Sequence, residues 1–97
     1  MLLAVIFTDR PGQGGLRDAY AQAHIDWVAK HADSVRVAGS LREAQDQVPK
    51  GGLWIVEAPD SEAVHSLLKT DPFWNCGLRE RVEVLIWRKA FDQPALV

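Results

Sequence analysis

An imidazole changes its protonation state near neutral pH, so the three histidines are the first residues to weigh for proton transfer. His24 has the most suggestive position. It lies within Leu16 to His31, LRDAYAQAHIDWVAKH, which the spacing predicts as the longest helix of the chain. At about 100° per residue, Leu16, Tyr20, Ala23 and Trp27 share a stripe that should face a core. His24 falls on the flank of that stripe, and Arg17 and His31 lie on the same flank, each seven residues away. A titratable group at the seam between core and surface is available to a pocket. The plainer alternative is a half-buried helix histidine bonded to a neighbour. Arg17 has two readings, as the holder of an anionic group or as a solvated helix arginine. Tyr20, Trp27, Phe73 and Trp74 can line an apolar pocket or simply pack in a core. Ser40 sits at a strand end within reach of such a pocket, and no motif marks it as a nucleophile.

Other chemistries find less support. His24 and His31 miss the i, i+4 spacing of a helical metal pair, and no cysteine joins them, so no metal site is expected. The glycine-rich stretch Asp9 to Gly15, DRPGQGG, matches neither the dinucleotide fingerprint nor a P-loop. It reads as a connector, and no cofactor is expected. His65 falls on the polar side of its helix, and Cys76 has no activating neighbour in sequence.

With 97 residues the chain has the size of one domain, expected over residues 1–91, with 92–97 as a frayed C-terminal tail. Acids and bases are interspersed at a net charge of −2, and no basic block suggests nucleic acid. The apolar start MLLAVIFTD is too short to span a membrane and reads as a strand, not a signal peptide. The single cysteine fits a reducing cytoplasm, where the protein is expected.

The elements that must hold these residues follow in order. Leu2 to Phe7 is a strand with apolar residues on both faces: Leu3, Val5 and Phe7 against Leu2, Ala4 and Ile6. After the helix, Ser34 to Leu41 alternates Val35, Val37 and Gly39 against Arg36, Ala38 and Ser40, a second strand. A polar connector leads to a third strand, Leu53 to Ala58. Asp60 or Ser61 caps a second helix with Ala63, Val64, Leu67 and Leu68 as its apolar stripe. Pro72 pushes Asp71 out of the helical region into an extended or turn geometry, and Phe73 to Leu78 reads as an irregular link. Arg81 to Lys89 is the fourth strand. The order β-α-β-β-α-β predicts an α+β, ferredoxin-like fold, a four-stranded antiparallel sheet with two helices on one face. Two helices cannot cover both faces of such a sheet. The other face calls for a second copy, giving a homodimer packed sheet to sheet, or else for shielding by the long loop and tail.

Several features then line up: Arg17 with Ala23-His24-Ile25, Ala38-Gly39, Gly51-Gly52, Thr70-Asp71-Pro72-Phe73, Cys76-Gly77-Leu78 and Ile86-Trp87-Arg88-Lys89. In this combination the chain resembles the YciI-like (YCII-related) family from residue 1 to about 91. The resemblance implies a dimeric α/β barrel of ferredoxin-like subunits and an active-site pair, His24 and Asp71. The wider dimeric α/β-barrel group includes cofactor-free monooxygenases, lactone isomerases and enzymes that eliminate halide. This chain departs from the family pattern at Ala21, often arginine, and at Ser40, often proline.

In that pair, Asp71 would accept a hydrogen bond from His24, set its tautomer and raise its basicity. The expected function is a small cofactor-free enzyme that moves protons in isomerisation or elimination on a small aromatic or anionic molecule. Arg17, Tyr20, Trp27, Ser40 and Phe73 are the expected substrate-binding residues. A module that binds the same small ligand without turnover is the alternative.

Overall fold

The computed structural model describes residues 1–94; the end of the expected frayed tail, residues 95–97, lies outside the described residues. Seven elements follow in order: β1 (Leu2–Asp9), α1 (Gly14–Lys30), β2 (Val35–Leu41), β3 (Gly51–Glu57), α2 (Ser61–Leu68), α3 (Pro72–Asn75) and β4 (Arg79–Ile86). The strands form one antiparallel sheet in the order β2-β3-β1-β4. This is the ferredoxin-like α+β arrangement that the element order predicts.

Alternation along β1 divides the two faces of the sheet. Leu3, Val5, Phe7 and Asp9 are buried, while Leu2, Ala4, Ile6 and Thr8 are half-buried. Leu3, Val5 and Phe7 join Trp54 and Val56 of β3, Val64 and Leu68 of α2, Trp27 of α1 and Val35 of β2 in the core. Phe7 meets Trp54 edge to face at 4.7 Å, and Trp27 stacks on Trp54 at 5.0 Å. On the other face, Leu2, Ala4, Ile6, Leu53 and Ile55 are half-buried, and Val37, Leu41 and Leu85 are exposed. That face is largely apolar, and among the described residues no helix lies over it.

Three features differ from the expectations. First, α1 is rotated about its axis. Tyr20 and Ala23 are exposed, whereas Arg17, Ala21, His24, Val28 and His31 turn inward beside buried Trp27. Polar residues can face inward here because Asp9 and Asp71 are buried opposite them and meet their hydrogen-bonding needs. Second, the link after α2 is not irregular. Asp71 is extended (φ −73°, ψ 129°), as Pro72 requires, and its carboxylate accepts the Phe73 N–H, capping the short helix α3 with Pro72 in its first turn. Third, two strands carry one-residue bulges. In β2 the pairing passes from Val35↔Val56 to Val37↔Ile55, so Arg36 is extra. In β4 it passes from Asp9↔Arg79 to Thr8↔Arg81, so Glu80 is extra. Each bulge reverses the facing of the residues beyond it. Ala38 and Ser40 thereby turn toward α1, contrary to the expected grouping of Val35 with Val37 and Gly39, and Arg79 turns toward the helices beside Asp9.

Candidate active site

The inward side of α1, the ends of β2 and β3, Phe73 of α3 and the start of β4 enclose an open cavity of about 460 Å³. Arg17, His24, Ser40, Phe73 and Arg79 all line it. Tyr20 and Trp27, expected beside them, are placed elsewhere. Tyr20 is 42% exposed on the outer side of α1. Trp27 is packed in the core, where its indole N–H donates to Thr70 Oγ1 at 2.8 Å. The helix rotation accounts for Tyr20, since it brings Arg17 and His24 to the cavity instead, whereas Trp27 keeps the core position that the apolar stripe predicts.

The centre of the site is His24. Its Nδ1 lies 2.7 Å from Asp71 Oδ1. An ionised carboxylate can only accept, so a neutral imidazole paired with one carries its proton on Nδ1 and leaves Nε2 with a free lone pair. Asp71 is wholly buried. The same Oδ1 also accepts the Phe73 N–H at 3.1 Å, and Oδ2 has no partner among the described residues. The Phe73 ring stacks on the imidazole, with centroids 4.1 Å apart and planes 15° from parallel. The carboxylate thus fixes one edge of the imidazole and the phenyl ring one face.

A second carboxylate stands behind the two arginines that line the cavity. Asp9 is 8% exposed and both its oxygens are engaged, Oδ2 by Arg17 Nη2 at 2.6 Å and Oδ1 by Arg79 Nη1 at 2.7 Å. Arg17 Nη2 also reaches the Gly51 carbonyl oxygen at 3.3 Å. The Arg79 guanidinium lies 4.4 Å from the centroid of Phe7 and 5.1 Å from that of Phe73; Arg17 lies 5.2 Å from Phe73. Burial pulls the Arg79 guanidinium below its ordinary range. The hydrogen bond and charge of Asp9 oppose this, Arg17 adds to it, and the more distant Asp71 opposes it weakly. Ser40 is held at the cavity edge, where its Oγ accepts from Arg42 Nη2 at 3.1 Å.

Backbone without side chains makes room for this cluster. A Cβ on Gly52 would stand 3.2 Å from Arg79 Nη2 and equally close to the Gly39 carbonyl oxygen, and one on Gly51 would run into the Phe7 carbonyl oxygen. The expectations omitted Asp9 and Arg79. Asp9 was legible, since it continues the Leu3, Val5, Phe7 alternation to the buried face. Arg79 was hidden by the bulge at Glu80, because simple alternation from Val82 and Val84 turns it outward.

A larger hollow of about 720 Å³ lies at the end of β1, beneath the Arg10–Gly14 loop and the connection into β3. It touches Asp9 and Arg17 from the other side but not His24. Among the described residues no three His, Cys, Asp or Glu side chains are grouped to hold a metal, and no helix is long and apolar enough to cross a membrane.

Fold and site together define a class: a small ferredoxin-like α+β protein with a pocket between its helices and its sheet. Within that class the chain belongs to the YCII-related domain family, whose model matches residues 1–88. No curated protein matches the chain by sequence. Among solved structures, it is similar to 5-chloro-2-hydroxyhydroquinone dehydrochlorinase (TftG) from Burkholderia phenoliruptrix AC1100, in complex with 2,5-dihydroxybenzoquinone. The two are 28% identical, with a TM-score of 0.82 over 91% of this chain and 94% of that one. A proposed antibiotic biosynthesis monooxygenase from Bacteroides thetaiotaomicron VPI-5482 is 15% identical, with a TM-score of 0.60 over 100% of this chain and 95% of that one. An uncharacterized NIPSNAP domain protein from Burkholderia xenovorans is also 15% identical, with a TM-score of 0.54 over 98% and 100%. The last two likenesses are of fold alone. Family and structural likeness together support a function in small-molecule chemistry or binding.

Proposed function

We propose that this protein is a small cofactor-free enzyme in which His24, paired with Asp71, moves protons on a hydroxylated ring of the hydroquinone or quinone type. The observation that carries the reading is the 2.7 Å His24–Asp71 contact at the wall of an open cavity. The structural likeness to a dehydrochlorinase holding a dihydroxybenzoquinone supports the choice of ring. His24 Nε2 takes a proton from a ring hydroxyl, and Asp71 stabilises the imidazolium that results. Returning that proton to a ring carbon completes an isomerisation. Where that carbon bears a leaving group, Nε2 then takes a second hydroxyl proton. A C=O bond forms, and the leaving group departs with its bonding pair. The net loss is one acid molecule, and no oxidant is required.

The same reading includes a homodimer in the cytoplasm. A second copy would cover Leu2, Ala4, Ile6, Leu53, Ile55 and Leu85, the side of the sheet that the helices leave open. Light scattering on the wild type and on Ile55→Asp tests this part: a wild-type dimer that the substitution splits is expected, and a wild-type monomer would refute it.

Activity is tested by following halide release and the ultraviolet spectrum with a chlorinated hydroxyhydroquinone, comparing wild type with His24→Ala. Turnover by the wild type and its loss in the variant are expected. Binding without turnover in the wild type would replace the enzyme reading with that of a ligand-binding module.

A further inference from the structure

Arg79 is costly as scaffold. It is 5% exposed, its Nε has no partner among the described residues, and burial pulls its guanidinium below the ordinary range. Holding a buried arginine against a single carboxylate stabilises a fold little or not at all compared with apolar packing. Yet several local features aim it at the cavity. The bulge at Glu80 turns it inward, Gly52 leaves space for Nη2, and Asp9 holds Nη1.

Charge supplies the second part of the argument. Asp9 bears two guanidinium groups on one carboxylate, so its end of the pocket carries an excess positive charge. Asp71, across the Phe73 ring, is bonded to His24. The four fixed groups, Asp9, Asp71, Arg17 and Arg79, sum to zero. Protonating His24 leaves the pocket one positive charge in excess, which one bound anion neutralises. Both guanidinium groups and the imidazole line one cavity with Phe73, so an anion held by the arginines shares that cavity with the imidazole.

We propose that Arg79, seconded by Arg17 and positioned by Asp9, is the anion-holding residue of this pocket and takes an enolate or phenolate oxygen of a planar ring. The inference rests on the ring-binding reading above and deepens it. The ring hydroxyl gives its proton to His24 Nε2: the O–H bond breaks, an N–H bond forms and the electron pair stays on oxygen, facing the arginines. The loaded pocket then holds three positive and three negative groups. Charge-assisted hydrogen bonds to guanidinium fit this task, because an arginine stays protonated throughout.

The test is calorimetric titration at pH 7 with two rings of similar size. One is 2,5-dihydroxybenzoquinone, whose hydroxyls are vinylogous acids and therefore ionised. The other is hydroquinone, whose phenols, with pKa near ~10, stay neutral. Wild type should bind the ionised ring at least about tenfold more tightly. Arg79→Gln should lower affinity for the ionised ring by about ten- to a hundredfold, leave that for hydroquinone within about twofold, and Arg79→Lys should recover part of the loss. Equal wild-type affinity for both rings, no binding of either, or an equal loss of both in Arg79→Gln would each overturn the proposal. If Arg79→Gln fails to fold, the wild-type preference and Arg79→Lys still decide. His24→Ala separates this inference from the acid/base reading. Loss of wild-type selectivity refutes the anion subsite, whereas full turnover in His24→Ala refutes only the proton-transfer role.

Discussion

Asp9 and Asp71 are both buried carboxylates behind one pocket, yet they are satisfied in different ways. Asp9 has an arginine on each oxygen. Asp71 has a histidine and a backbone N–H on one oxygen and nothing on the other. Partners that never lose their protons make Asp9 part of a fixed charge cluster. Asp71 is paired with an imidazole, a group that can both give up and take a proton, which is the basis of the proton transfer proposed for it. Burial alone therefore does not distinguish the two acids; their partners do.

Removing each charge in turn is the sharpest way to break this contrast. Asp71→Asn should lower kcat/KM for a hydroxylated ring by about a thousandfold, because an amide can present its own N–H to Nδ1 and shift the imidazole proton to Nε2. Initial rates test this, and a change below tenfold would remove Asp71 from the chemistry. Asp9→Asn should instead act first on stability, by about 3–5 kcal/mol in chemical denaturation, because it leaves two inward guanidinium groups without their countercharge. A smaller effect is expected at Gly52→Ala, which crowds Arg79 Nη2 and the Gly39 carbonyl oxygen. About 1–3 kcal/mol should be lost, along with affinity for an ionised ring.

The smallest effect is expected at a third carboxylate, which sets the baseline for the other two. Glu43 is fully exposed and bonded to Lys50 at 2.8 Å; that hydrogen bond, and then the charge of Lys50, lower its pKa. A depressed carboxyl pKa gives stability that is present above the unfolded value and disappears as pH falls through the folded one. Solvent screens this pair, so Glu43→Gln should leave the neutral-pH melting temperature almost unchanged, and any difference should vanish in acid. A large loss there would show that exposed and buried acids differ less than their partners suggest.

The candidate site was partly legible because its parts signal in different ways. Pro72 keeps Asp71 out of the helical region, which left extended or turn geometry, and the observed φ and ψ are extended. His24 stood out by residue type, but its facing was misjudged. The apolar stripe through Tyr20 does not mark the inward side, because Arg17 and His24 turn in to meet Asp9 and Asp71. Arg79 could not be found by counting alternation, since a bulge leaves no mark in residue type. Ser40 was named, but the sequence grouped it opposite Val35, Val37 and Gly39; the bulge at Arg36 turns it toward α1.

By itself, then, the sequence determined the order of the four strands and the two longer helices, the ferredoxin-like sheet, the apolar runs on both faces of β1, and the residue types available for proton transfer. These depend on local periodicity and turn chemistry, which neighbouring residues carry. Only the tertiary structure decided the rotation of α1, the two bulges, the His24–Asp71 contact and the sharing of Asp9 by two arginines. Those depend on pairing register and on the need to satisfy buried charge. Both are set between elements far apart in the chain, such as Asp9 and Arg79.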